Sequence, residues 1–308
     1  MLQGMVQAPV SSLGQVGKRL ISKLSSPSPM QKEETMKRSG SLLALAVAIV
    51  CSSSAAFAQA APDVTLTRLD CGTPQAPTDV NARFSDTYAY PGVKLQFVFS
   101  CYLIKHGDDY MMWDTGQATS AGPVAPKVGL VDLLAQLKVA PEQVKYIGIS
   151  HFHGDHIGQA NALPKATLLI GKGDWDVLTG PKPPGNLNPQ LVSNWISGGG
   201  TVEAVPLDKD VFGDGSVVML ATPGHTPGHH SLLVKLAQKG AVILSGDAVH
   251  FQENYDGPGV PIFNFDRSQT LASIDRLKKV ATNLKATLII QHDARDVGKL
   301  PAFPEAAK

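Results

Sequence analysis

From residue 64 onward, apolar positions fall in short β-type runs separated by turn-rich segments, and only two stretches keep a helical period. Residues 64–69, 93–104 and 110–113 are rich in β-branched and aromatic side chains and predict the early strands. Leu130, Leu133, Leu134 and Leu137 then share one face of a helix that must stop before Pro141, which lacks the N–H a continuing helix needs. Residues 145–149 predict a buried strand, and its carboxyl end delivers a histidine-rich loop. Residues 167–170, 201–205, 217–221, 231–236, 241–244 and 287–291 predict six more strands, three of them followed by loops carrying His or Asp. Leu271, Ile274, Leu277 and Val280 place a long helix over about residues 268–284, with Asp266 or Ser268 available as its cap. The Pro, Gly and Asn stretch at 179–189 predicts an irregular surface loop, a candidate lid.

The first 58 residues follow no such pattern. Met36-Lys37-Arg38 is a basic start, residues 42–50 are apolar, and Ala56-Phe57-Ala58 is a small-x-small cleavage signal before Gln59, which together read as a secretory signal peptide. The apolar stretch is too short to span a bilayer, and Val50 is bulkier than a lipoprotein signal at Cys51 allows. Residues 1–35 read as an upstream extension or a misassigned start, residues 36–58 as the signal peptide, and residues 59–308 as a single domain with a sizeable core. The expected location is periplasmic or secreted, with no membrane span after signal removal.

Removing that leader changes the charge. Of 27 Lys/Arg and 26 Asp/Glu, six and two lie in residues 1–58, so the remainder carries 21 and 24 and a net charge near −3. No basic cluster survives to neutralise a run of phosphates, so nucleic acid is not an expected partner. Cys71 and Cys101 both sit in strand-like sequence, where a disulfide and two buried thiols are both open.

The chemistry concentrates between His151 and His156, where three imidazoles and one carboxylate occupy six positions. Imidazole nitrogen and carboxylate oxygen suit Zn²⁺ and other first-row ions, and alternate residues of an extended segment point the same way, so His151 and His153 could grip one ion. Gly154 would let the chain bend and turn Asp155 and His156 toward a second. His225, Asp247 and His292 each follow an apolar strand, which fits a site built from loop ends at one edge of a sheet sandwich. Two ions need roughly seven protein groups plus water, and these residues supply that number.

With His-x-His-x-Asp-His followed by a distant His, Asp and His, the chain resembles the metallo-β-lactamase superfamily over nearly all of residues 59–308. The resemblance implies an α/β (α+β) fold arranged as a four-layer αββα sandwich. It also implies that His151, His153 and His225 hold one divalent ion, that Asp155, His156 and His292 hold the other, and that Asp247 bridges them. The ions would be Zn, with Fe, Mn or Co also accepted by such donors. Asp114-Thr115-Gly116 matches a structural aspartate that buttresses the metal loop. Penicillin-cleaving members usually lack the bridging aspartate, and type II glyoxalases extend into a glutathione-binding region, whereas 16 residues follow His292 here.

Within the superfamily the segments Leu69-Asp70-Cys71-Gly72, Ser100-Cys101-Tyr102-Leu103, Gly224 through Ser231, Glu253-Asn254-Tyr255 through Pro261, Phe265-Asp266 and Ile274 through Lys278 look like the N-acyl homoserine lactonases. Many of these carry a tyrosine three residues after the bridging aspartate, and His250 stands there instead. The implied reaction is lactone opening by a hydroxide shared between two ions, with Asp155 passing a proton to the leaving alkoxide and His250 as a donor to the carbonyl oxygen. Phe84, Tyr88, Tyr90 and Trp175 are candidates for an acyl trough. His229 and His230 read as structural and His106 as a solvated turn residue. The expected ligand is a small acyl lactone or ester, a homodimer is open, and the rivals are another ester or phosphotriester hydrolase or a non-catalytic periplasmic metal binder.

Overall fold

The computed structural model describes residues 63–185 and 187–308, so the signal-peptide residues 36–58, the upstream 1–35 and Cys51 lie outside the described residues. Along the chain run β1 Val64–Asp70, β2 Thr78–Asp79, β3 Lys94–Leu95, β4 Ser100–His106, β5 Asp109–Trp113, α1 Leu130–Gln136, β6 Val144–Ile149, α2 Gly154–Ile157, β7 Thr167–Gly171, α3 Lys172–Leu178, α4 Ser193–Ile196 and β8 Val202–Val205. There follow β9 Lys209–Asp210, β10 Val217–Ala221, β11 His230–Leu236, β12 Gly240–Leu244, α5 Gln252–Asp256, α6 Arg267–Leu284 and β13 Thr287–Ile289. One sheet has the order β1-β4-β5-β6-β7-β8 and a second β13-β12-β11-β10-β9, with β2 and β3 as a separate ribbon. The first sheet is antiparallel from β1 to β5 and parallel from β5 to β8, and in the second only β12 and β13 are parallel.

Alternation along the strands builds the layers. Leu66, Tyr102, Ile104, Met111 and Trp113 from the first sheet pack with Met219, Leu232, Val234, Val242 and Leu244 from the second as the inter-sheet core. Strand neighbours of opposite parity, Leu103, Met112, Ile147, Ile149 and Leu168, meet Leu130, Leu133 and Leu134 of α1 on the outer face. On the far side Leu220, Leu233 and Ile243 receive Leu277 of α6. The result is helices, sheet, sheet, helices. Asp266 caps α6 by accepting from the Gln269 N–H at 2.9 Å.

One expected strand is interrupted and another ends early for the same reason: their polar backbone is needed elsewhere. The run 93–104 breaks after Leu95 and resumes at Ser100, because the Val98 N–H donates to the His292 carbonyl at 3.1 Å and the Val98 carbonyl accepts from His292 Nδ1 at 2.7 Å. The run 287–291 ends at Ile289, where the Ile290 N–H turns to Asp296 Oδ2 at 2.7 Å. The short helices α3, α4 and α5 have no periodic signal in the sequence. Residues 179–188 hold no helix or strand among the described residues, as their composition predicts.

Cys71, just past β1, and Cys101 in β4 are joined as a disulfide with Cα atoms 5.8 Å apart, both buried in the outer core. A cross-link over a separation of 30 residues stabilises by about 3–4 kcal/mol through the unfolded chain. Denatured, unreduced protein from Gln59 onward is therefore expected to show no free thiol, and Cys101→Ser to lower the unfolding free energy by about that amount in a urea titration.

Candidate metal centre

The loop ends of both sheets converge on one edge. Ser150 leaves β6, His153 sits in extended backbone just before α2, and the single turn of α2 carries Asp155 and His156 away from it. His225 lies in the β10–β11 loop, Asp247 in the 3-10 turn Gly246–Ala248 after β12, and His292 just past β13. Two glycines make these turns possible: Gly224 has φ +134° and Gly246 φ +54°, and a Cβ on them would stand 2.2 Å from the Thr270 nitrogen and 2.6 Å from His229 Nε2.

The ligand atoms fall into two groups, each within 4.8 Å: His151, His153, His225 and Asp247, and Asp155, His156 and His292. Asp247 serves both. Its Oδ2 lies 3.5 Å from His225 Nε2 and 3.7 Å from His151 Nε2, and its Oδ1 lies 3.0 Å from His292 Nε2 and 3.3 Å from His156 Nε2. Asp155 Oδ2 approaches His292 Nε2 at 3.6 Å and His156 Nε2 at 3.8 Å.

Protons on the far side of three rings decide what these approaches mean. His292 Nδ1 donates to the Val98 carbonyl at 2.7 Å, His156 Nδ1 to Asp114 Oδ2 at 2.8 Å, and His225 Nδ1 to Asn264 Oδ1 at 2.9 Å. With a single proton on each ring, Nε2 is left as a lone pair facing Asp247. Lone pairs this close repel unless a cation lies among them, and Asp247 Oδ1 is buried without a hydrogen bond. The donor set, the orphaned oxygen and the fixed tautomers all fit two divalent ions.

Electrostatics agree. Burial pushes His151, His153 and His225 below the ordinary imidazole value, which keeps them neutral and ready as ligands. Burial opposes charge at His156 and His292 too, but Asp247 and the nearby carboxylates outweigh it and raise both, so without an ion these two rings take up a second proton, the positive charge that a cation in the second group would replace. Burial likewise works against the Asp247 carboxylate, and the surrounding histidines, His292 first, hold it well below the usual carboxylate range.

A second ring of side chains fixes the first. Fully buried Asp114 accepts from the Ser150 N–H at 2.7 Å, Ser150 Oγ at 2.9 Å, His156 Nδ1 at 2.8 Å and Gln291 Nε2 at 2.7 Å. This is the buttress its Asp-Thr-Gly context implies. His229 donates to the Thr222 carbonyl at 3.0 Å and accepts the Asp247 N–H at 2.9 Å, which makes it a loop support. His230 is also structural, bracketed by the Gly228 and Leu207 carbonyls at 2.7 and 3.1 Å. His106 is not a solvated turn residue: it ends β4, pairs with Asp214 at 2.8 Å and stacks on Phe212 at 4.0 Å.

Asp174 carries no motif and was invisible in the sequence. It accepts from the Phe152 N–H at 3.2 Å, Thr226 Oγ1 at 2.8 Å and the Gly228 N–H at 2.7 Å, tying the His151–His153 loop to the His225 loop. Burial pushes its carboxyl up to about 7 despite those donors.

Above the ligands opens a cavity of about 540 Å³, within the range of small-molecule sites. His153, Asp155, Asp247, His250 and His292 form its floor, Phe84, Phe97, Phe99, Val124 and Phe263 its apolar wall, and Arg83, Gln75, Ala76 and Thr78 complete the lining. Of the four trough candidates only Phe84 lines it. Tyr88 is 67% exposed, Tyr90 packs behind the wall against Phe251, and Trp175 packs on the helix-side core. Phe97, Phe99 and Phe263 give no signal in the sequence, since neighbouring aromatics in a loop look alike until the chain is folded. His250 reaches Asp247 Oδ2 with Nε2 at 3.1 Å, while its Nδ1 has no protein partner.

The profile of the Metallo-beta-lactamase superfamily matches residues 98–292. An N-acyl homoserine lactonase of Bacillus sp is 30% identical over 239 residues, covering 70% of this chain and 89% of that protein. A second N-acyl homoserine lactonase, from Rhizobium radiobacter, is 30% identical over 193 residues, covering 58% and 68%. Among solved structures, a quorum-quenching N-acyl homoserine lactone lactonase superposes with TM-score 0.66 at 28% identity, over 79% of this chain and 97% of that one. An N-acyl homoserine lactone hydrolase with the product N-hexanoyl-L-homoserine at its catalytic metal centre gives 0.65 at 26%, over 79% and 98%.

The Asp174 carboxyl titrates higher in the fold than its unfolded value of 3.8, so its support is complete below about pH 4 and is lost as the pH rises through about 7. In urea unfolding of metal-free protein, the stability advantage of the parent over Asp174→Asn should shrink between about pH 4 and pH 7. An advantage that grows with pH would mean the three donors outweigh burial.

Proposed function

The chain belongs to the metallo-beta-lactamase superfamily, and from that premise we propose that it opens the lactone ring of N-acyl homoserine lactones outside the cytoplasm. It is a lactonase-like, metal-dependent hydrolase. In the proposed mechanism His151, His153 and His225 would hold one ion and Asp155, His156 and His292 the other, with Asp247 available to both. Zn²⁺ suits this mixture of imidazole and carboxylate. The observation that carries the reading is Asp247, with one carboxylate oxygen toward each histidine group beneath an apolar cavity.

Two such ions supply Lewis acidity to an ester carbonyl and bring the pKa of a water down to about 7. The chain's own residues do the rest. The wall of Phe84, Phe97, Phe99 and Phe263 excludes water and receives an acyl arm. Asp155, the more exposed of the two carboxylate ligands at 25%, faces the cavity and is placed to take the proton released by the attacking water and pass it to the departing alkoxide. His250 lines the same floor, where an imidazole N–H is placed to serve the oxygen on which charge develops.

His250 in a tyrosine's place also favours a second reading, hydrolysis of another ester or a phosphotriester. Zinc-loaded protein from Gln59 onward, given acyl homoserine lactones, aryl esters and phosphotriesters in a pH-indicator assay, is expected to show its highest kcat/KM on the lactones. His153→Ala should lose bound metal and lower lactone kcat by well over about a hundredfold, and His250→Phe should lower kcat by about a hundred- to a thousandfold. Normal lactone turnover by metal-depleted His153→Ala would refute the mechanism, and a preference for phosphotriesters would select the second reading.

Export is supported by the basic start, apolar stretch and cleavage signal in residues 36–58, and by a disulfide that suits an oxidising compartment. Cell fractionation with amino-terminal sequencing should find the enzyme outside the cytoplasm beginning at Gln59. A cytoplasmic protein that keeps Met36 would refute export.

A further inference from the structure

Arg83 is, among the described residues, the one Lys or Arg that lines the catalytic cavity. Its guanidinium carbon lies 5.3 Å from the ring centroid of Phe263 and 5.8 Å from that of Phe84. Those rings meet edge to face at 5.5 Å, and they stand 5.8 Å from the His225 ring and 5.0 Å from the His250 ring respectively. The cation is therefore two ring contacts from the ligand His225 and from His250, poised over aromatic faces. Among the described residues no carboxylate pairs with it: Asp86, the nearest acid in sequence, is taken by Arg267. Gln75, which shares the cavity lining, has its Nε2 engaged by the Thr73 and Pro123 carbonyls at 2.9 and 2.8 Å.

A guanidinium carries five N–H donors and no acceptor, so its natural partner is an oxygen. The apolar wall accepts any hydrocarbon arm and discriminates weakly among arms, whereas an oxygen within reach of the exposed guanidinium gains a charge-assisted hydrogen bond that a plain arm cannot make. We infer that Arg83 is a specificity residue of this site, taking a carbonyl oxygen on the acyl arm of the lactone, beyond the amide. The enzyme then prefers acyl lactones whose arm bears a second carbonyl over those with a plain hydrocarbon arm of equal length. This rests on the lactonase reading above.

The test is the ratio of kcat/KM for 3-oxo-acyl over unsubstituted acyl homoserine lactones of one chain length, measured on zinc-loaded parent, Arg83→Ala and Arg83→Lys. The expected ratio favours the oxo substrates in the parent, falls about tenfold in Arg83→Ala, chiefly through KM, and is partly restored in Arg83→Lys, which keeps a charged donor. An unchanged ratio in Arg83→Ala, with the parent turning over both lactones, overturns the inference and leaves the lactonase reading intact. No turnover of any lactone by metal-loaded parent overturns that reading and the inference with it.

Discussion

Asp247 puts a buried carboxylate within 3.0–3.7 Å of nitrogens from five histidines, and three of those rings have their protons committed elsewhere. A cluster of lone pairs in a dry interior is costly, and without a cation it would drive its members apart or into protonation. The rest of the edge is arranged around that constraint. Stiff strands bring the loop ends together, glycines permit the tight turns, and polar side chains behind the ligands hold their tautomers.

Two carboxylates with no place in the cavity share that task. Asp114 gathers Ser150, His156 and Gln291, so strand β5 of the first sheet is tied to the end of β13 in the second. Asp174 joins the His151–His153 loop to the His225 loop. Both are buried, and breaking either leaves several donors without partners, which costs more than the hydrogen bonds contribute. The metal site and the sheet packing are thus one structure: the inter-sheet core sets the spacing, and the buttresses convert that spacing into ligand geometry.

Short apolar, β-branched runs marked nearly all of the strands of the two main sheets within a residue or two, because strands covered on both faces need apolar side chains on each. The runs 93–104 and 287–291 were read as longer than they are. Their composition is strand-like, yet Val98 and Ile290 place their backbone groups on His292 and Asp296 instead of a ladder. Local pattern carries no information about such distant partners. Asp174 and Arg83 were hidden for the same reason, since a lone Asp in a short helix and a lone Arg in a loop match thousands of solvated residues.

His-x-His-x-Asp-His with His225, Asp247 and His292 made the metal-binding chemistry legible in the sequence alone, because so many imidazoles and carboxylates at those spacings have few other uses. What only the folded chain decided is which oxygen of Asp247 faces which group, which ring nitrogens are left as ligands, and which aromatics among Phe84, Tyr88, Tyr90, Phe97 and Phe263 wall the cavity. Ligand identity is a property of side-chain chemistry and survives in one dimension. Orientation and enclosure depend on contacts between residues far apart in the chain, which exist only once the two sheets have packed.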